Sequence, residues 1–138
     1  MAQGRVYSLG GQQAAEQQEE HTVAQGMFLI HNTWASVLVD TGASFSFISA
    51  AFSRVLGLSV ELLESPLCVE TPVGAIAVLR RVCRDCEVRV ADFTFLGDLI
   101  VLDMTSFDVI IGMDWLAKYR ASIDCFRRAL IASGAGSQ

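Results

Sequence analysis

Hydrophobic and polar positions divide the chain unevenly. Met1 to about Thr22 is rich in Gln, Glu, Ala and Gly, and Gln12, Gln13, Glu16, Gln17, Gln18, Glu19 and Glu20 offer little to bury. Residues 1–22 therefore read as a flexible polar leader, a linker or frayed helix. From Val23 the texture changes to short apolar runs punctuated by turn residues. Val23 to Ile30, then His31-Asn32-Thr33, then Trp34 to Val39 predict a β-hairpin that feeds into Asp40.

Ser46 to Leu58 spaces Ile48, Phe52, Val55 and Leu56 at helical intervals and meets Gly57, a stop residue, which predicts a short helix. Leu67 to Glu70 and Ala75 to Val90 read as extended, joined by the turn Thr71-Pro72-Val73-Gly74. Phe93 to Phe95, Leu99 to Leu102 and Val109 to Ile111 are further strands, the last two apolar enough to be buried on both faces. Met113 to Tyr119 reads as one or two helical turns. Ile123 to Cys125 and Ala129 to Ala132 form a last hairpin around Phe126-Arg127-Arg128, before a flexible Gly-Ser tail over 133–138. Many short strands with two brief helices predict an all-β closed barrel or folded sheet over 23–132.

Composition narrows the partners. At 138 residues and 52% hydrophobic content the chain suits one domain with a real core. A formal charge of −5 with 10 Lys and Arg argues against a nucleic-acid partner, which needs clustered positive charge. No apolar run reaches the roughly 20 residues that span a bilayer, and the polar start does not resemble a signal peptide, so the expectation is a soluble intracellular protein with no membrane partner. Cys68, Cys83, Cys86 and Cys125 are too scattered for a disulfide framework. Cys83-Arg84-Asp85-Cys86 has zinc-like spacing but no second pair, and on a continuous strand residues three apart face opposite sides, so no metal site is expected.

The chemistry concentrates at Val37-Leu38-Val39-Asp40-Thr41-Gly42-Ala43-Ser44, an apolar strand that stops at a carboxylate and enters a glycine-permitted turn. Asp-Thr-Gly alone is also an ordinary turn sequence. Two carboxylates sharing one proton can divide base and acid work between them. The chain has a single Asp-Thr-Gly and no Asp-Ser-Gly, so a second such carboxylate would have to come from a second copy, which two-fold symmetry supplies.

Leu38 to Ser44, the helix Phe47-Ile48-Ser49, and Phe107-Asp108-Val109-Ile110-Ile111-Gly112-Met113-Asp114-Trp115-Leu116 together resemble the retropepsin-like protease domain of a gypsy-type retrotransposon polyprotein, over about Val23 to Cys125. The resemblance implies an aspartic endopeptidase that acts as a homodimer on an extended polyprotein substrate, without cofactor, in the cytoplasm or within retrotransposon particles. It implies Asp40 as the catalytic aspartate, Thr41 as the hydroxyl linking two loops across the dimer, and Gly42 as a substrate-backbone contact. Ala43 and Ser44 would line the substrate site, Val73, Gly74 and Ala75 would belong to a mobile flap, and Ile111 would lie near a side-chain pocket.

The departures are informative. Many retroviral relatives carry an aspartate where this chain has Ser44 and a pairing arginine where it has Met113. Loss of both together is compatible with neutral contacts there. Ala43 replaces a hydroxyl residue common in pepsin-like enzymes, which removes a hydrogen bond to the charged form and favours a less acid optimum than a stomach-type enzyme has. Asp108 and Asp114 lack the following Thr-Gly or Ser-Gly and are assigned structural roles, Trp115 and Leu116 a place in the core, and His21 and His31 the surface. The rival readings are a retrotransposon-derived binding or dimerisation module that keeps the fold without turnover and, more remotely, an unrelated polypeptide-binding β domain.

Overall fold

The computed structural model describes residues 2–8, 23–70, 75–124 and 129–132. Its strands are β1 (Ala2–Ser8), β2 (Val23–Ile30), β3 (Thr33–Asp40), β4 (Phe47–Ser49), β5 (Glu61–Glu70), β6 (Ile76–Val90), β7 (Phe93–Leu102), β8 (Val109–Ile111), β9 (Ser122–Asp124) and β10 (Ala129–Ala132). Two helices, α1 (Ala50–Leu56) and α2 (Met113–Lys118), accompany them. The strand order is β5-β6-β7-β4-β8-β3-β2-β1-β10-β9, and a further pairing of β2 with β6 through Leu29 with Arg89 and Ile30 with Val88 closes a ring. The fold is therefore mostly β, with the ring-like sheet expected.

The β2–β3 hairpin forms as the apolar alternation predicts. Ala24, Phe28 and Ile30 point inward, and the turn residues His31 and Asn32 have φ of 48° and 63°. Two left-handed residues are what a tight hairpin with the right-handed twist of its strands requires. The tip is also tied down: the His31 N–H donates to the Glu87 carbonyl (3.0 Å), and His31 Nε2 accepts from the Glu87 N–H (3.3 Å).

Four expectations need correcting. The helix expected over Ser46 to Leu58 begins only at Ala50, because Phe47–Ser49 is taken up as β4, parallel to β7 and antiparallel to β8. The Ser49 side chain then caps α1 by accepting from the Phe52 N–H (2.9 Å), and Gly57, at φ 65°, ends it as expected. Ala2–Ser8, placed in the flexible leader, pairs with both β2 and β10; main-chain pairing asks little of side chains, so composition did not reveal it. The separate runs Phe93 to Phe95 and Leu99 to Leu102 are one continuous strand, β7.

Cys83 and Cys86, expected on opposite faces, are both buried. A bulge puts Arg84 and Asp85 against Asp98 alone, since the register runs from Cys83 with Leu99 to Cys86 with Gly97. Asp85 adopts φ 54°, and Asp98 holds the bulge by accepting from the Asp85 N–H (3.0 Å) and pairing with Arg84 (3.2 Å).

Candidate active site

Two apolar clusters hold β3 from opposite sides. Val37 and Val39 face the cluster that includes Ile48, Phe95, Trp115 and Leu116, and Leu38 faces the one that includes Phe47, Val82 and Ile110. β8 runs parallel to β3, with Val37, Leu38 and Val39 opposite Val109, Ile110 and Ile111, and its side chains alternate between the same clusters. A strand buried on both faces and hydrogen-bonded to a buried neighbour has little freedom. Asp40 is its last residue.

Asp40 is 9% exposed as a residue. Its Oδ1 accepts from the Gly42 N–H (2.8 Å), while its main-chain carbonyl accepts from the Ala43 N–H (3.1 Å) and closes the turn. A carboxylate in such a place needs donors to offset the lost water. The Asp-Thr-Gly turn provides one from its own backbone.

The loop that follows is clamped from below by the β8–α2 junction. Met113 N–H donates to the Ala43 carbonyl (2.7 Å), Asp114 N–H to the Ser44 carbonyl (3.2 Å), and Gly112 N–H to Ser46 Oγ (2.9 Å). Main-chain bonds thus serve the positions where an Asp–Arg ion pair would otherwise stand. Asp108 does similar work one layer down: it exchanges 2.9 Å bonds with the Ser36 main chain and accepts the Ser49 N–H at its carbonyl (2.8 Å).

The other residues expected at the site fall in three places. Thr41 and Ala43 are half-buried and Gly42 and Ser44 exposed, all within the Asp40 loop. Ala75, at the turn end of the β5–β6 hairpin, is exposed; Val73 and Gly74 lie outside the described residues. Ile111 is 2% exposed and sits in the core beside Val39 rather than on a surface of the single chain. Ser46 was not singled out in advance. A serine ahead of an apolar run carries no local signal of its buried partners.

α2 is anchored through its aromatic residues. Trp115, Tyr119 and Phe95 meet edge to face at centroid distances of 4.8 to 5.5 Å, and Tyr119 Oη donates to the Leu96 carbonyl and accepts from the Leu96 N–H (3.1 Å). Among the described residues no group of three His, Cys, Asp or Glu side chains could hold a metal ion, and no helix is long and apolar enough to cross a membrane.

Residues 1–138 match the family model described as retroviral aspartyl protease. Among solved structures, the retroviral protease-like domain of Ddi1 from Leishmania major is 20% identical, with a TM-score of 0.65 over 81% of this chain and 89% of that one. The EIAV protease in complex with an inhibitor is 20% identical, with a TM-score of 0.53 over 67% of this chain and 84% of that one. A retropepsin-like aspartic protease from Rickettsia conorii is 18% identical, with a TM-score of 0.53 over 80% and 82%. No curated protein is similar enough in sequence to count as a relative. The shared feature is the retropepsin-like fold.

Proposed function

Since the chain belongs to the retroviral aspartyl protease family, we propose that it hydrolyses peptide bonds with a water molecule held between Asp40 and the Asp40 of a second copy. The observation that carries this reading is the Asp40 carboxylate itself, nearly buried at the end of a strand fixed on both faces, with Oδ1 bonded to the Gly42 N–H. Each chain brings one Asp-Thr-Gly, so an acid–base pair requires two chains.

In such a pair one carboxylate, ionised, takes a proton from water as it attacks the scissile carbonyl. The other, protonated, donates to the carbonyl oxygen. A carboxylate already fixed by its strand loses little freedom when the reaction starts, which is where catalysis by orientation comes from. Thr41 and Gly42 flank the pair, and the β5–β6 hairpin closes over an extended peptide bound as an added strand, with Val73, Gly74 and Ala75 as the flap. Ala43 and Ser44 line its path.

The natural substrate in this reading is a polyprotein of gypsy-type retrotransposon origin, cut at junctions flanking a domain of residues 23–132, inside the cell. The test is the initial rate of cleavage of a mixed peptide library at mildly acid pH against protein concentration, with Asp40→Asn as control. A rate rising as roughly the square of concentration at the dilute end, and lost in the variant, supports it. No cleavage at any concentration favours a binding module that keeps the fold without turnover.

A further inference from the structure

Ser46 and Asp114 meet beneath the Asp40 loop in an arrangement with little tolerance. Ser46 is 1% exposed. Its hydroxyl accepts from the Gly112 N–H (2.9 Å), so its own proton must go elsewhere, and it goes to Asp114 Oδ1 (2.6 Å). The Ser46 N–H donates to the other oxygen, Asp114 Oδ2 (3.2 Å), and the Trp115 N–H donates to Oδ1 (2.7 Å). Three donors converge on one side chain, on both of its oxygens.

A carboxylate suits all three, because it accepts at both oxygens. An asparagine at 114 would turn an NH2 group toward the Ser46 N–H or, flipped, toward the Ser46 hydroxyl and Trp115 N–H. Either way donor would face donor. The bonds to an ionised acceptor are also the strong ones.

We propose that Ser46 and Asp114 are positioning residues for the Asp40 carboxylate. This inference rests on the proteolytic reading. α2 is fixed to β7 by Trp115 and Tyr119, and Asp114 passes that fixity to Ser46, which ends the loop that Asp40 begins. Neither residue touches Asp40 in the structure's hydrogen bonds. They act by holding residues 40–46 at one height, so that the Gly42 N–H meets Asp40 Oδ1 and two loops can face each other symmetrically. A displacement of about 1 Å at reacting groups costs about 10²-fold in rate.

The experiment measures cleavage kinetics, at concentrations that saturate any dimer, alongside amide hydrogen exchange for the wild-type chain and for Ser46→Ala, Ser46→Thr, Asp114→Asn and Ser49→Ala. Ser46→Thr keeps the hydroxyl and Asp114→Asn keeps the shape, so at least one variant at each end of the contact is expected to fold. The expected result is a kcat lower by about 10²-fold in Ser46→Ala and Asp114→Asn at unchanged KM, recovery in Ser46→Thr, and faster exchange at Gly42 and Ala43. Ser49→Ala, which removes the cap of α1, loses stability without that kcat loss.

Unchanged kcat in Asp114→Asn, or a fall in Ser46→Thr as large as in Ser46→Ala, overturns the proposal. If the wild-type chain cleaves nothing, the proteolytic reading has failed by itself. Exchange then decides: lost protection at Gly42 and Ala43 in Asp114→Asn upholds the positioning role, and unchanged protection overturns it.

Discussion

The α-carbon of Gly112 faces the main chain of Phe45 so closely that a Cβ built there would overlap the Phe45 carbonyl oxygen and come within 2.8 Å of the Ala43 oxygen. The backbone of Gly112 itself is ordinary, at φ −106°. Space, not conformation, demands the glycine, and the space is closed because the β8–α2 junction lies directly under the Asp40 loop.

Gly112→Ala is therefore expected to be among the most damaging single-methyl changes. The atoms met are backbone, which cannot swing aside, so β8 and the loop must separate and lose the Met113–Ala43 and Gly112–Ser46 bonds. A loss of more than about 3 kcal/mol, at the upper end for overpacking, is expected in chemical denaturation. A loss under about 1 kcal/mol would mean that the contact is looser than described.

The thiols make a prediction with a defined pH direction. Burial pushes the Cys86 thiol up to about 12, with Cys83, Asp98 and Asp85 acting the same way, and burial also raises Cys83. Cys68 is exposed. Because the thiolate is the reactive form, a thiol reagent at about pH 8, near the ordinary thiol pKa, is expected to modify Cys68 quickly and to spare Cys83 and Cys86 until the chain unfolds. Peptide mapping of the modified sites distinguishes the three.

The same shift has a consequence for stability. An unfolded Cys86 releases its proton near the ordinary 9.0, whereas the folded chain keeps it to about 12. The folded state thus binds more protons between those values, so this contribution is complete below about pH 9 and is lost as pH rises toward 12. Denaturation midpoints recorded across that window should fall with pH, and less steeply in Cys86→Ala.

Tyr119→Phe tests the anchoring of α2. The change removes both the bond to the Leu96 carbonyl and that from the Leu96 N–H while leaving the ring contacts with Phe95 and Trp115 in place. Two main-chain groups lose a partner in a part-buried setting, which costs about 1 to 3 kcal/mol. A stability loss smaller than a few tenths of a kcal/mol in chemical denaturation would show that water replaces the hydroxyl freely.

What the sequence made legible was local. The His31-Asn32 turn, the strand ending at Asp40, the apolar triplet Val109–Ile111 and the Gly57 stop each declare themselves through a few neighbouring residues. Phe47–Ser49 did not, because its apolar residues fit a helix or a doubly buried strand equally, and the slot between β7 and β8 decides between them. The Cys83–Cys86 bulge depends on Asp98, a residue on another strand.

β10 shows the same limit from another side. Ala129–Ala132 was legible as one strand of a hairpin with β9, whereas its pairing with β1 on the other side depends on Ala2–Ser8, far away along the chain. At the site, Asp40 and Gly42 were readable from their motif, whereas Ser46 acquires its importance only from Gly112 and Asp114, more than 60 residues away.

The central claim is that one active site needs a carboxylate from each of two chains, and mixing tests it most directly. Wild-type chain and Asp40→Asn are combined in varying ratio at constant total concentration, allowed to exchange subunits, and assayed for peptide cleavage. A shared pair predicts activity falling as the square of the wild-type fraction, because a mixed dimer holds only one Asp40. Activity falling in simple proportion to that fraction would mean that each chain works alone, and would contradict the account.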